Sequence, residues 1–385
     1  MDIDLSKVIR PGDGIILGQA CAEPQVLSAA LVAQRSAFSG ASVFLGVNYA
    51  GIVRPAHADH LRLSSYCGAG RNRALADAGV LEIHPHPYSR LAPLIRERKI
   101  PCDVALIQVS PPNARGEYSM GLAVDYLLPA LRGARAVIAE VNDRIPWTHT
   151  EKLFRKEDFA LLVEASYEPA SPPPARSGEI EKSIAQHAAG YVPDGATLEF
   201  GLGILPDAVC LALQDRKSLQ VHSGTIGDGV ADLMQRGAVA AADCAMLIGT
   251  RKLFDFAHDN PAIRLRSIEY THDPRVLLKI ERFVAINSAI EVDLTGQVNA
   301  EVAKGSYLGA VGGALDFIRA ATFSPGGVSL LVLPAARIVQ ALSGPVSTPR
   351  SEAGVIVTER GAADLRGCTL KERMRRMLLI SSIEK

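Results

Sequence analysis

The chain writes one strand–loop–helix pattern in both of its halves, and a repeat of that kind restricts it to a duplicated fold. Pro11-Gly-Asp-Gly-Ile-Ile-Leu-Gly-Gln-Ala-Cys-Ala-Glu-Pro24 reads as a turn, an apolar strand, a small-residue loop and a proline at the first turn of a helix. At an offset of 182, Pro193-Asp-Gly-Ala-Thr-Leu-Glu-Phe-Gly-Leu-Gly-Ile-Leu-Pro206 reads the same way. The helices continue as Gln25-Val-Leu-Ser-Ala-Ala-Leu31 and Asp207-Ala-Val-Cys-Leu-Ala-Leu213. Val104-Ala-Leu-Ile107 then answers to Val284-Ala-Ile-Asn287, and Gly116 to Gly296. Val124-Asp-Tyr126 answers to Leu315-Asp-Phe317, each expected before a helix and a further apolar strand (Ala136–Ala139; Ser329–Leu333). The order is kept while the offset drifts only between 180 and 191. Continuous apolar runs are the mark of strands covered on both faces. The expected fold class is therefore α/β, with two similar open, mostly parallel α/β domains related by internal duplication.

Three consecutive prolines in Pro169–Gly178 cannot sit inside a helix or a central strand and favour an extended spacer. They divide the chain into an N-terminal domain, 1–178, and a C-terminal domain, 179–385. Ligands of open parallel sheets bind beyond the carboxyl ends of the strands, so the cleft between two such halves is the expected site.

Charge removes several classes of partner. Lys+Arg and Asp+Glu are both 41, so the net charge is zero and no global field exists to hold a polyanion; nucleic acid is not expected. No apolar run approaches the roughly 20 residues of a membrane helix. Met1–Arg10, MDIDLSKVIR, lacks the apolar core of a signal peptide, so the expected location is cytoplasmic, with no membrane partner. The six cysteines, at 21, 67, 102, 210, 244 and 368, form neither C-x-x-C nor a dense framework. No metal site is expected, the His57/His60 and His84/His86 pairs having no Cys or acid at ligand spacing.

The residues that could carry chemistry cluster at strand ends. In Glu199-Phe-Gly-Leu-Gly-Ile-Leu-Pro-Asp207, Gly201 and Gly203 allow close backbone approach just before a helix. Free N–H groups there can hold a phosphate or a thioester oxygen as it becomes an oxyanion, or the glycines can simply make a tight turn. Gly309, Gly312 and Gly313 repeat the device before a helix whose first turn should contain Asp316. Between them, His222, Ser223, Thr225 and Asp228 are expected to follow the strand Leu219–Val221, with an Asp-Gly turn after them.

At this point the residues carry a resemblance. Gly18-Gln-Ala-Cys-Ala-Glu-Pro-Gln25, Asp103-Val-Ala-Leu-Ile-Gln-Val-Ser-Pro-Pro112, Val137-Ile-Ala-Glu-Val-Asn142 and Gly201-Leu-Gly-Ile-Leu-Pro-Asp-Ala208 are similar to motifs of the acetyl-CoA hydrolase/CoA-transferase family. So are Phe254-Asp-Phe256 with Asn260-Pro261, Ile286–Asn299, Gly312-Gly313 with Asp316-Phe317, and Val357–Ala363. The resemblance, which extends to 4-hydroxybutyrate, butyryl and succinyl CoA-transferases, implies two α/β domains that move coenzyme A between carboxylates. It implies an attacking glutamate and a glutamyl-CoA thioester, a covalent route that divides one hard step into easier ones. It further implies an asparagine at Asn287 that positions the acyl group, acyl-CoA and a small carboxylate as partners, no tightly bound cofactor, and a homodimer.

The departure from the family falls at the nucleophile. The family's pattern around the nucleophile is His-Ser/Thr-Glu followed by Ser/Thr-Asp-Gly, whereas this chain reads His222-Ser223-Gly224-Thr225-Ile226-Gly227-Asp228-Gly229, with Gly224 in the glutamate's place. Losing a nucleophile costs on the order of a millionfold where the mechanism depends on it. Three readings follow. The chain is an enzyme of CoA thioesters with altered chemistry (hydrolase, lyase or decarboxylase), with His222, Thr225 or Glu23 as acid/base candidates. Or it transfers CoA through another glutamate, Glu23, Glu199 or Glu291. Or it is a catalytically silent CoA-binding protein or regulatory subunit. Each of these residues also has a plain alternative: Glu23 beside Pro24 can favour a helix's first turn, Glu291 and Glu199 can be alternating strand residues, and His222 can cap backbone.

Overall fold

The computed structural model describes residues 3–172 and 177–383. Four residues of the proline-rich spacer, 173–176, lie outside the described residues. By their internal contacts the described residues form two compact units. One contains the chain up to Pro172 with Ala245–Glu269 and Ser306–Leu308; the other contains the chain to Cys244, then Tyr270–Gly305, and the chain from Gly309 on. Two short segments of the second half thus belong with the first half, so the contact division is discontinuous in sequence.

The first unit is built on a seven-stranded sheet in the order Leu81–Ile83, Arg62–Ser65, Ser42–Leu45, Gly14–Leu17, Val104–Val109, Ala136–Asn142, Leu161–Ala165. Every neighbouring pair is parallel. Val104–Val109 is buried along its whole length, as a run without polar alternation requires. Ile15, Leu17, Leu27, Leu31, Val43 and Leu106 pack into one core on the sheet.

The second unit carries six neighbouring strands of a nine-stranded sheet, in the order Gly361–Asp364, Val355–Thr358, Val328–Val332, Phe283–Ser288, Thr197–Phe200, Leu219–Ile226. It is parallel except at its edge, where Gly361–Asp364 runs against Val355–Thr358. The matched segments hold matching places in the two sheets. Gly14–Leu17 lies beside Val104–Val109 and then Ala136–Asn142; Thr197–Phe200 lies beside Phe283–Ser288 and then Val328–Val332. Both units are mixed α/β with mostly parallel sheets, as the repeat predicts.

Three local expectations are corrected. The strand from Leu219 does not end at Val221 but continues to Ile226, so His222, Ser223 and Thr225 lie within it. Asp228-Gly229 is not a turn: Asp228 opens the helix Asp228–Gln235. Leu315–Phe317 lies inside the helix Ala314–Phe323 rather than before it. Among the described residues no helix is long and apolar enough to cross a membrane.

Candidate functional site

The carboxyl end of the second sheet brings three of the sequence candidates into one row. Val221 pairs with Leu198, and Ile286 with Phe200. Carrying the register forward places Gly224, Gly201 and Asn287 side by side on adjacent strands. Because side chains alternate, Glu199 and His222, two residues earlier on their strands, share that face. The Asn287 amide donates to a Glu199 carboxyl oxygen at 2.7 Å, and a Cβ added at Gly201 would lie 2.8 Å from the Asn287 Oδ1. Both side chains are buried. Burial pushes Glu199 up to about 8, a rise that the hydrogen bond from Asn287 only partly opposes, so at neutral pH its carboxyl is mostly protonated.

Gly224 has a neighbour that its sequence surroundings do not announce. A Cβ at 224 would meet the His272 Cε1 and Nε2 at 3.3 Å and the Phe317 ring at 3.7 Å. The same His272 Nε2 is 2.5 Å from where a Cβ of Gly313 would stand. The imidazole packs on Phe317, with centroids 4.6 Å apart, and its Nδ1 is 2.9 Å from the Thr271 Oγ1. Burial, reinforced by nearby His222, pushes His272 down to about 3, so its ring is neutral at physiological pH. His222 is also held below its usual value, chiefly by burial, and its Nε2 lies 2.9 Å from the Thr271 carbonyl. Thr225 is one residue out of phase with Gly224, so alternation turns it to the opposite face of the strand.

The glycine loops supply backbone rather than side chains. Gly203, at φ 124, is the residue from which Ile204–Ala212 starts, a conformation that L side chains rarely adopt. Gly312, at φ 57, directs the chain into Gly313, from which Ala314–Phe323 starts with Asp316 in its first turn. Gly309 makes a close backbone approach: its Cβ would fall 1.9 Å from the Ala300 carbonyl oxygen. The first N–H groups of a helix have no partner within it, so both starts can present donors to a ligand oxygen.

The other carboxylates stand elsewhere. Glu291 is not a solvent-facing strand residue: it is buried, and its oxygens accept from Asn299 at 2.9 Å and from the Ser343 N–H at 2.6 Å. These donors outweigh burial and hold it ionised below the usual carboxylate range. Glu23, in the first unit, accepts the Ala50 N–H at 3.1 Å and is pushed up to about 7 by burial. It does not cap the helix beside it. Glu140 does that from the strand Ala136–Asn142, accepting the Leu27 N–H at 2.9 Å. Nearby in that unit, the Gln19 amide joins Tyr88 and Asp125, each at 2.6 Å, and Asp125 is pushed up to about 6 by burial. Among the described residues no group of three or more His, Cys, Asp or Glu could hold a metal ion.

The sequence candidates Gly224, Gly201, Asn287, His222 and Glu199 are thus brought together, with Gly313 joined to them through His272; Glu23 and Glu291 belong to other clusters. His272 was missed. Its only local signal is a histidine following Tyr270-Thr271 in a polar stretch, with nothing to say that it packs beside position 224.

Comparison with known proteins agrees with this architecture. The chain matches the acetyl-CoA hydrolase/transferase N-terminal domain over residues 3–154 and the C-terminal domain over residues 249–383. It is 34% identical over 387 residues to the 4-hydroxybutyrate coenzyme A transferase of Clostridium kluyveri, covering 95% of this chain and 90% of that one. It is 32% identical over 342 residues to a succinyl-CoA:acetate/propanoyl-CoA:succinate CoA transferase of Fasciola hepatica, covering 84% and 72%. The solved structure of RipA from Yersinia pestis superposes with a TM-score of 0.93 at 30% identity, over 98% of this chain and 92% of that one. With both domains matched in order, the chain belongs to the acetyl-CoA hydrolase/transferase family, whose members act on CoA thioesters.

Proposed function

We propose that the chain binds an acyl-CoA and breaks its thioester without a glutamyl-CoA intermediate, hydrolysis being the simplest such reaction. The observation that carries this reading is Gly224, set in the row with Gly201 and Asn287 at the carboxyl end of the sheet. A thioester carbonyl held there would meet backbone donors from the helix starts at Gly203 and Gly312–Gly313, which suit a developing oxyanion. The carboxyl group at hand is a poor nucleophile: Glu199 is mostly protonated and tied to Asn287. A second reading, CoA transfer through Glu199, is favoured by that residue's place on the same face of the sheet.

Calorimetry with CoA and several acyl-CoAs, followed by assay for free thiol, tests the proposal. Saturable binding with thiol release is expected, and borohydride should trap no enzyme thioester during exchange between acetyl-CoA and labelled carboxylates. A trapped thioester mapping to Glu199 would replace the first reading by the second. Binding without turnover would favour a silent CoA binder, and no binding at millimolar ligand would sink every one of these readings.

Position 224 offers a gain-of-function test. Gly224 lies outside the left-handed backbone region, and its Cβ would require the His272 ring to give by only a few tenths of an ångström. Gly224→Glu is therefore expected to fold and to acquire CoA exchange with a trappable thioester. The measurement is the exchange rate beside wild type.

A further inference from the structure

The second unit also holds a cavity at the other end of its sheet from Gly201, Gly224 and Asn287. Its volume is about 390 Å³, and Tyr191, Pro193, Arg216, Gly326, Val328 and Arg366 are among the residues that line it. The topology gathers them there. Pro193, Arg216 and Gly326 stand just before Thr197–Phe200, Leu219–Ile226 and Val328–Val332, so they mark the amino ends of parallel strands. Arg366 reaches the same end because the edge strand Gly361–Asp364 runs antiparallel, with Asp364 opposite Val355. The four residues of Thr197–Phe200 span roughly 13 Å at about 3.3 Å per residue, and Gly201 lies beyond them. The cavity is therefore separate from a thioester held at the carboxyl ends.

Its polar lining consists of donors. No acidic side chain lines it. The Arg366 guanidinium donates to both Asp364 oxygens, at 2.9 and 2.7 Å, and keeps its Nη1. Arg216 gives one N–H to the Ala189 carbonyl, at 2.9 Å, and among the described residues it has no acidic partner. Arg282 adjoins the wall, its Cγ 3.3 Å from where a Cβ of Gly326 would stand, and its Nη1 donates to the Asp194 carbonyl at 3.5 Å. The Asp194 carboxylate accepts the Lys217 N–H at 2.9 Å. The cations Arg216, Lys217 and Arg282 thus outnumber the acids Asp194 and Asp215. Burial, reinforced by the Asp364 charge, raises Tyr191 above its usual value against the pull of Arg366, so its hydroxyl stays a neutral donor beside that pair. Donors from three separate side chains match the three oxygens of a phosphate monoester better than the two of a carboxylate. A volume of about 390 Å³ falls in the range of roughly 300–1,000 Å³ that small-molecule sites occupy, and inorganic phosphate would leave most of it empty.

We propose that this cavity binds a small organic phosphate of nucleotide size, its phosphate on Arg216, Arg366 and the Tyr191 hydroxyl and its body against the Tyr191 ring, Pro193 and Val328. The inference does not rest on the thioester chemistry proposed above.

The test is calorimetry of the full chain with adenosine and uridine monophosphates, adenosine and inorganic phosphate. Wild type, Arg216→Gln and Lys217→Gln are compared, with thermal melting recorded for each. The nucleotides are expected to bind about tenfold or more tightly than adenosine or inorganic phosphate, and Arg216→Gln to weaken them by about tenfold or more. Lys217→Gln removes the same charge one position away, outside the lining, and should stay within about threefold. Nucleotide binding should persist with CoA present at saturation. A nucleotide displaced by CoA would be sitting in the acyl-CoA site, and that result overturns the proposal. So does binding that Arg216→Gln leaves unchanged, or no nucleotide binding at millimolar concentration. Should Arg216→Gln not melt normally, Arg366→Gln takes its place with the same expectation. A wild type that ignores CoA yet binds nucleotide through Arg216 would remove the acyl-CoA reading and leave this one standing.

Discussion

Asn287→Ala is expected to lower thioester turnover by about a hundredfold or more, the effect of removing one donor that favours the transition state by roughly 3–4 kcal/mol. The Asn287 amide stands at the carboxyl end of its strand, 2.7 Å from Glu199, with its oxygen against Gly201. Its partner makes a second effect certain to be measurable. Truncation leaves the Glu199 carboxyl buried without that donor, which costs about 1–3 kcal/mol of stability. The two consequences separate when kcat per folded molecule and the urea midpoint are measured on the same preparation. A hundredfold loss of turnover with a modest loss of stability supports a role toward the acyl oxygen. Near-normal turnover of the folded fraction with a large loss of stability would assign Asn287 to the scaffold.

Stability should fall as pH rises from 6.5 to 8, and Glu199 should account for most of the fall. Its carboxyl is pushed from an ordinary 4.5 to about 8 by burial. Across that window the folded chain keeps the proton and the unfolded chain has already lost it. The native state thus binds more protons, and stability declines with rising pH. The contribution is fully present below about 4.5 and is gone above the folded value. One proton held over 1.5 pH units corresponds to about 2 kcal/mol. Glu23, pushed up to about 7, adds a smaller term of the same sign. His222 and His272 are both lowered, so they act oppositely, but only below their ordinary 6.5. Urea unfolding of wild type and Glu199→Gln at pH 6.5 and 8.0 is the measurement. The variant should show a flatter dependence and be the more stable protein at pH 8. A parallel decline in both would mean that Glu199 is ionised in the fold.

The sequence by itself determined the architecture, because the architecture rests on local signals that repeat. Val104–Val109 and Phe283–Ser288 are apolar enough to be strands in any setting that covers both faces, and the glycines at 201, 203, 312 and 313 fix where strands or loops yield to helices. The absence of a carboxylate at 224 was equally legible, being a matter of residue identity against a motif. The extent of the strand around it was not. His222-Ser-Gly-Thr225 is polar, and polarity reads as exposure, yet His222 and Ser223 are buried within Leu219–Ile226 because Thr271, Tyr270 and the strand's neighbours cover them. The burial of Glu291 was not legible for the same reason, since it depends on Asn299 and on Ser343, 52 residues away. His272 was decided by tertiary structure alone. It lies 48 positions beyond Gly224 in a stretch with no periodicity of its own, and only the fold places its Nε2 between two glycines. Local sequence dictates backbone form through sterics and burial of apolar runs. Which polar groups meet, and with what proton affinity, depends on long-range packing that removes water from around them.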